Sequence, residues 1–111
     1  MAAKKPPIAE NCAVKFDAGK PPLGLISRAA LEEEAKVMAY GAQKYGRDNW
    51  RKGMEFSRLA DAALRHVYAF VDGEDKDAET GLSHLAHARC CLAFLLEYQG
   101  KSIGKDDRYG R

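Results

Sequence analysis

Three stretches of this chain bring an apolar residue back every third or fourth position, and none alternates apolar with polar side chains over five residues or more. The first pattern belongs to helices with one face on a core, the second to half-buried strands, so the chain reads as all-α. A first helix is expected from a cap at Ser27 to Tyr45, closed by Gly46. A second runs from about Phe56 to Val71 and stops before Asp72 and Gly73; a third runs from about Gly81 to Gln99 and is closed by Gly100. Serine caps because its hydroxyl accepts from a free amide of the first turn, and glycine closes because the left-handed conformation costs it nothing sterically. Pro21 and Pro22 bar a regular helix from the turn-rich segment that begins at Lys15. The chain divides into an N-terminal arm (1–13), a helical domain (14–99) and a polar tail (100–111) expected to be mobile or to pack late against a partner.

A domain of 111 residues buries only about two-thirds of its unfolded surface. Three helices of this length give a small antiparallel bundle whose core is expected to be completed by oligomerisation, as a homodimer or homotetramer. With 18 basic and 16 acidic side chains the net charge is +2, too balanced to argue for nucleic acid or an anionic membrane as partner, so any charge-based function is local. No apolar run approaches the roughly 20 residues that span a bilayer, and the start of the chain lacks the apolar stretch of a signal peptide, which points to the cytoplasm. Cys12, Cys90 and Cys91 are expected to be reduced thiols, mostly buried.

The chemistry-bearing residues concentrate between Ala29 and Trp50. Wound at about 100° per residue, Leu31, Ala35, Met38, Ala42 and Tyr45 form one stripe, and Glu34 falls inside it. A carboxylate there needs a cation or a metal to offset its desolvation. Glu33 sits at the edge of the stripe; acids early in a helix also suit its dipole, so metal binding and plain helix stabilisation compete for both glutamates. Asp61 interrupts an apolar run on the second helix, and its simplest role is an ion pair with Arg65 one turn on. Together with the glutamates it suggests instead a facing-helix site for Mg²⁺ or Mn²⁺, which prefer carboxylate oxygens. Lys44, Arg47, Arg51 and Lys52 surround the end of the first helix with Tyr45 and Trp50 among them, the parts of a nucleotide site. Trp50 taken alone is the better core plug. His66, His84 and His87 are read as interior hydrogen-bonders or donors to a phosphate or base; zinc on His84, His87 and Cys91 is disfavoured for want of a fourth ligand. The turn from Asp17 to Lys20 resembles a phosphate-contacting loop loosely and does not match a P-loop.

The ordered series Lys15-Phe16-Asp17-Ala18-Gly19-Lys20-Pro21-Pro22, Tyr40-Gly41-Ala42-Gln43-Lys44-Tyr45-Gly46, Asn49-Trp50, Asp61-Ala62-Ala63-Leu64-Arg65-His66, Gly73-Glu74 and Gly81-Leu82-Ser83-His84-Leu85-Ala86-His87-Ala88 resembles the phage dATP/dGTP diphosphohydrolase domain family, MazZ-like, over about residues 14–98. That family is related to the MazG-type all-α pyrophosphohydrolases. The resemblance implies hydrolysis of purine nucleoside triphosphates to monophosphate and pyrophosphate with Mg²⁺ or Mn²⁺ held by acids of facing helices. It assigns Glu33, Glu34 and Asp61 as metal ligands and catalytic residues, with Glu33 the safer ligand of the first pair. The MazG pattern carries a third acid on the first helix where Lys36 and Val37 stand here, and a glutamate where Arg58 stands. Lys44, Arg47 and Arg65 would hold the triphosphate, Asn49, Trp50, Asp17 and Lys20 would recognise the purine, and His66, His84 and His87 would position it. The alternative from another class is a non-catalytic helical module that binds a nucleotide or a protein.

Overall fold

A computed structural model describes residues 12–111, so most of the arm expected over 1–13 lies outside the described residues. The elements are a 3₁₀ turn at Leu23–Leu25, α1 (Arg28–Tyr45), a second 3₁₀ turn at Asn49–Lys52, α2 (Phe56–Val71) and α3 (His84–Lys101), with no strand among the described residues. The chain is all-α, as its periodicity requires. The Ser27 hydroxyl accepts from the Ala30 amide at 3.2 Å and starts α1, and the Gly46 amide closes it on the Ala42 carbonyl at 2.9 Å with φ +94°.

α3 starts three residues later than the periodicity suggests, because the preceding residues are committed to a closed turn. Asp77 Oδ1 accepts from the Glu79 and Thr80 amides, both at 2.9 Å. The Gly81 amide returns to the Asp77 carbonyl and the Asp77 amide donates to the Leu82 carbonyl, each at 2.8 Å. Amides spent on a turn cannot enter a helix, so Ser83 becomes the cap and accepts from Leu85 and Ala86.

The tail, expected to be mobile or to pack late against a partner, is docked on the start of α2 of its own chain. Glu55 provides no side-chain cap; Asp107 supplies one from the tail, its carboxylate accepting from the Ser57 amide at 2.9 Å and from the Ser57 hydroxyl. The Phe56 amide donates to the Lys105 carbonyl at 2.9 Å. Gly104 makes this return possible: its φ is +77°, and a Cβ there would lie 2.5 Å from the Met54 carbonyl oxygen.

α3 packs most extensively on α2 and also on α1. The core joins Val37 of α1 to Ala86 and Cys90 of α3, with Met38, Leu82 and Phe94 around them. Tyr98 is 0% exposed and donates its hydroxyl proton to the Trp50 carbonyl, which pins the second 3₁₀ turn to α3. The buried face of α1 is rotated from the expected stripe: Val37 is buried and Ala30, Glu34, Met38, Tyr40, Gly41 and Ala42 are partly covered, so Met38 and Ala42 of the stripe face inward as expected, whereas Leu31, Ala35 and Tyr45 are exposed. On α3 the small residues Ala86, Ala88 and Cys90 make the close contacts. The larger side chains Leu85, Leu92 and Leu96 therefore point outward, Leu96 to 70% exposure, and Phe70 of α2 is likewise exposed.

Candidate functional site

A groove of about 890 Å³ opens between the C-terminal half of α1, the second 3₁₀ turn, α2, the Asp77–Thr80 turn and α3. Its floor is apolar where Val37, Leu59 and Phe94 meet, and its walls carry five cations, Lys44, Arg47, Lys52, Arg58 and Arg65, against three acids, Asp61, Asp77 and Glu79. Such a volume lies within the range that holds a small organic ligand. Lys44 contacts Glu79 at 3.4 Å, and the Tyr45 hydroxyl, ahead of that carboxylate, holds its ammonium above the ordinary lysine value. Arg47, Lys52, Arg58 and Arg65 make no ion pair among the described residues. Cations that line one concavity without neutralising partners repel one another, and an anion in the groove relieves that repulsion.

The structure brings Lys44, Arg47, Asn49, Trp50, Asp61, Arg65, His66 and His87 to this groove. It leaves Asp17 and Lys20 outside, on an exposed turn closed by the Lys20 amide on the Asp17 carbonyl at 3.0 Å. Trp50 is a groove residue and a packing residue at once. Its ring stacks on Phe94, centroids 4.4 Å apart at 10°, and the Arg51 guanidinium lies 4.5 Å from its centroid, which leaves the ring little free face for a base.

Glu33, Glu34 and Asp61 do not come together. Glu33 is exposed and pairs with Lys36 at 3.0 Å. Glu34 accepts from Arg89 of α3 at 3.0 Å. The carboxylate in the apolar stripe did need a partner, and a cation from the packed neighbour supplies it. Asp61 faces the groove without the Arg65 pair that its spacing suggested.

His66 and His87, which line the groove, form one network with His84 and the turn before α3. His66 Nδ1 lies 2.9 Å from His84 Nδ1, His84 Nε2 lies 2.9 Å from Glu74 Oε1, and His87 Nε2 lies 2.7 Å from Thr80 Oγ1. The rings of His66 and His87 stack at 4.5 Å and 7°. Burial, then the neighbouring imidazoles, pushes His66 below its ordinary value, and burial does the same to His87. Hydrogen bonds from the Thr80 amide first hold Asp77 below the usual carboxylate range. Sequence reading missed Asp77, Thr80 and Glu74; the signal for the first two was the Asp-x-x-Thr-Gly spacing of the turn. Cys90 is buried with its thiol pushed up to about 12, so it is an inert core residue.

Residues 10–108 match the family model described as dATP/dGTP diphosphohydrolase, N-terminal. A protein of Salmonella phage PMBT28 named dATP/dGTP diphosphohydrolase is 47% identical over 95 residues, covering 86% of this chain and 32% of the relative. This chain thus spans about a third of that relative's length. No solved structure matches it. No helix among the described residues is long and apolar enough to cross a membrane.

Proposed function

This chain belongs to the dATP/dGTP diphosphohydrolase N-terminal family, and we propose that its groove binds a purine deoxynucleoside triphosphate for hydrolysis to monophosphate and pyrophosphate in the cytoplasm of a phage-infected host. The observation that carries this reading is the set of four cations, Arg47, Lys52, Arg58 and Arg65, that line one concavity and make no ion pair among the described residues. Guanidinium forks match phosphate oxygens in pairs. Asn49 offers an amide that can donate to and accept from a purine edge. The name of the phage relative supports dATP and dGTP as the bases in question.

Hydrolysis adds one water across the bond between the α- and β-phosphates. The oxygen goes to the α-phosphorus, and pyrophosphate leaves with the bond's electron pair. We assign the water's proton to Asp61, whose carboxylate lines the groove and makes no ion pair among the described residues. Dependence on Mg²⁺ or Mn²⁺ is part of the proposal, as the chemistry of a triphosphate favours it. The three acids expected to hold that ion do not fit one site, since Glu33 and Glu34 are paired elsewhere. Self-association is also part of the proposal: Leu64, Tyr68 and Val71 of α2 and Leu92 and Leu96 of α3 are at least half exposed, more apolar surface than an isolated bundle of this size leaves to water without cost.

The test is release of pyrophosphate from the four deoxy and four ribonucleoside triphosphates, with Mg²⁺ or Mn²⁺, by this chain and by the longer protein if the chain is a piece of one. Preferential turnover of dATP and dGTP is expected. Tight binding without pyrophosphate from any of the eight would favour the non-catalytic module.

A further inference from the structure

We propose that His66, Asp77 and His84 form a binding site for a first-row transition dication such as Mn²⁺, Co²⁺ or Zn²⁺. Among the described residues this is the one group of three or more such side chains whose ligand atoms all lie within 4.8 Å of one another. It is distinct from the Glu33, Glu34 and Asp61 set, and it does not depend on the nucleotide reading.

Two ligands on one ion, each at about 2.0–2.2 Å, are separated by about 2.9–3.5 Å at right-angle to tetrahedral geometry. The Nδ1 atoms of His66 and His84 already stand 2.9 Å apart. Only the Asp77 carboxylate must close in, and it sits on a turn rather than inside a helix.

Each ligand is also held from behind. His84, 5% exposed, gives Nε2 to Glu74 at 2.9 Å; a carboxylate on that nitrogen fixes its proton there and frees the Nδ1 lone pair for an ion. Asp77 spends Oδ1 on two backbone amides, which orients the carboxylate and leaves Oδ2 available. His66 is clamped by its stack on His87, itself tied to Thr80.

The donor set decides the ion. Two imidazole nitrogens and one oxygen suit borderline transition dications and disfavour Mg²⁺, which prefers oxygen throughout. A transition dication takes the neutral imidazoles and the ionised carboxylate, the states in which each group donates a lone pair. In the ion-free chain one proton lies between the two Nδ1 atoms. Ion binding moves that proton to Nε2 of the same ring, with no net release. His66 and Asp77 also line the groove, so the remaining coordination positions open toward it and would take water or an oxyanion.

The experiment is a Co²⁺ titration of the full chain without nucleotide, followed by visible absorption, with melting temperature measured in Zn²⁺ and in Mg²⁺. A band that saturates at one Co²⁺ per chain is expected, together with a rise in melting temperature in Zn²⁺ that equal Mg²⁺ does not give. His66→Ala and Asp77→Asn should each weaken Co²⁺ binding at least tenfold. Glu74→Gln should weaken it by about 10- to 100-fold, and Glu32→Gln, on an exposed pair with Arg28, should not change it. If His66→Ala does not fold, Asp77→Asn decides alone, because the amide oxygen still accepts from Glu79 and Thr80. Absence of a saturable band in the parent chain, or a band unaffected by the folded variants, would overturn the assignment. Neither result bears on nucleotide binding, which the pyrophosphate assay reads separately.

Discussion

Arg65→Met separates a phosphate-binding groove from a merely basic surface. Arg65 is exposed on α2 and makes no ion pair among the described residues, so its removal breaks no native interaction of consequence. An exposed substitution of this kind changes stability by no more than about 0.5 kcal/mol, or roughly 4 °C in melting temperature for a domain of this size. Its charge also disfavours protonation of neighbouring His66, so methionine removes a small repulsion rather than an attraction. In the nucleotide complex the same guanidinium would make charge-assisted hydrogen bonds to phosphate, whose loss costs about 1.5–3 kcal/mol. That corresponds to a roughly 10- to 150-fold rise in Kd. The chain has one tryptophan, and it lines the groove, so quenching of Trp50 by a dATP analogue that resists cleavage reads the affinity directly. The gap between parent and variant should narrow with added salt, because the lost contact is ionic. A Kd within twofold of the parent value, with parental melting temperature, would refute the phosphate role of this wall.

Asp61→Asn keeps the shape of the side chain and removes the proton acceptor; pyrophosphate release should fall at least 100-fold while circular dichroism and analogue binding are retained, and full turnover would remove Asp61 from the mechanism. Tyr98→Phe removes the hydroxyl of a fully buried side chain from the part-buried Trp50 carbonyl at a cost of about 1–3 kcal/mol, so the melting temperature should drop by roughly 5 to 15 °C; an unchanged value would mean that water replaces the hydroxyl. The Ser57 hydroxyl, then its amide, holds the Asp107 carboxyl below the usual carboxylate value of 3.8. Because the folded-state pKa is the lower one, this stabilisation is complete above the unfolded value and is lost as pH falls through the folded one. A melting-temperature series below pH 4 should therefore fall less steeply for Asp107→Asn than for the parent, and parallel curves would contradict the docked tail.

Where local rules decide a structure, the chain could be read directly. Ser27, Gly46 and the apolar spacing of residues 56–71 place α1 and α2 as observed, because caps and periodicity act within a few residues. Partner choice across the bundle was not legible. Glu34 announces that it needs compensation, but only the packing of α3 reveals that Arg89 provides it. His84 and His87 read as a weak pair on one helix; their partners, His66, Glu74 and Thr80, come from α2 and the turn that follows it. The docking of the tail on its own chain was not legible because it depends on a backbone return at Gly104 and a cap donated across the fold, features with no local period. The outward turn of Leu92 and Leu96 was not legible either, because the sequence cannot say which face of an all-round apolar helix meets its own chain.

A crystal structure of the chain with a dATP analogue that resists cleavage between the α- and β-phosphates tests most directly whether this groove is the nucleotide site. Triphosphate oxygens are expected within hydrogen-bonding distance of at least two of Arg47, Arg58 and Arg65, with the sugar and base toward Asn49. A nucleotide bound elsewhere on the chain, with those arginines still free, would contradict this assignment.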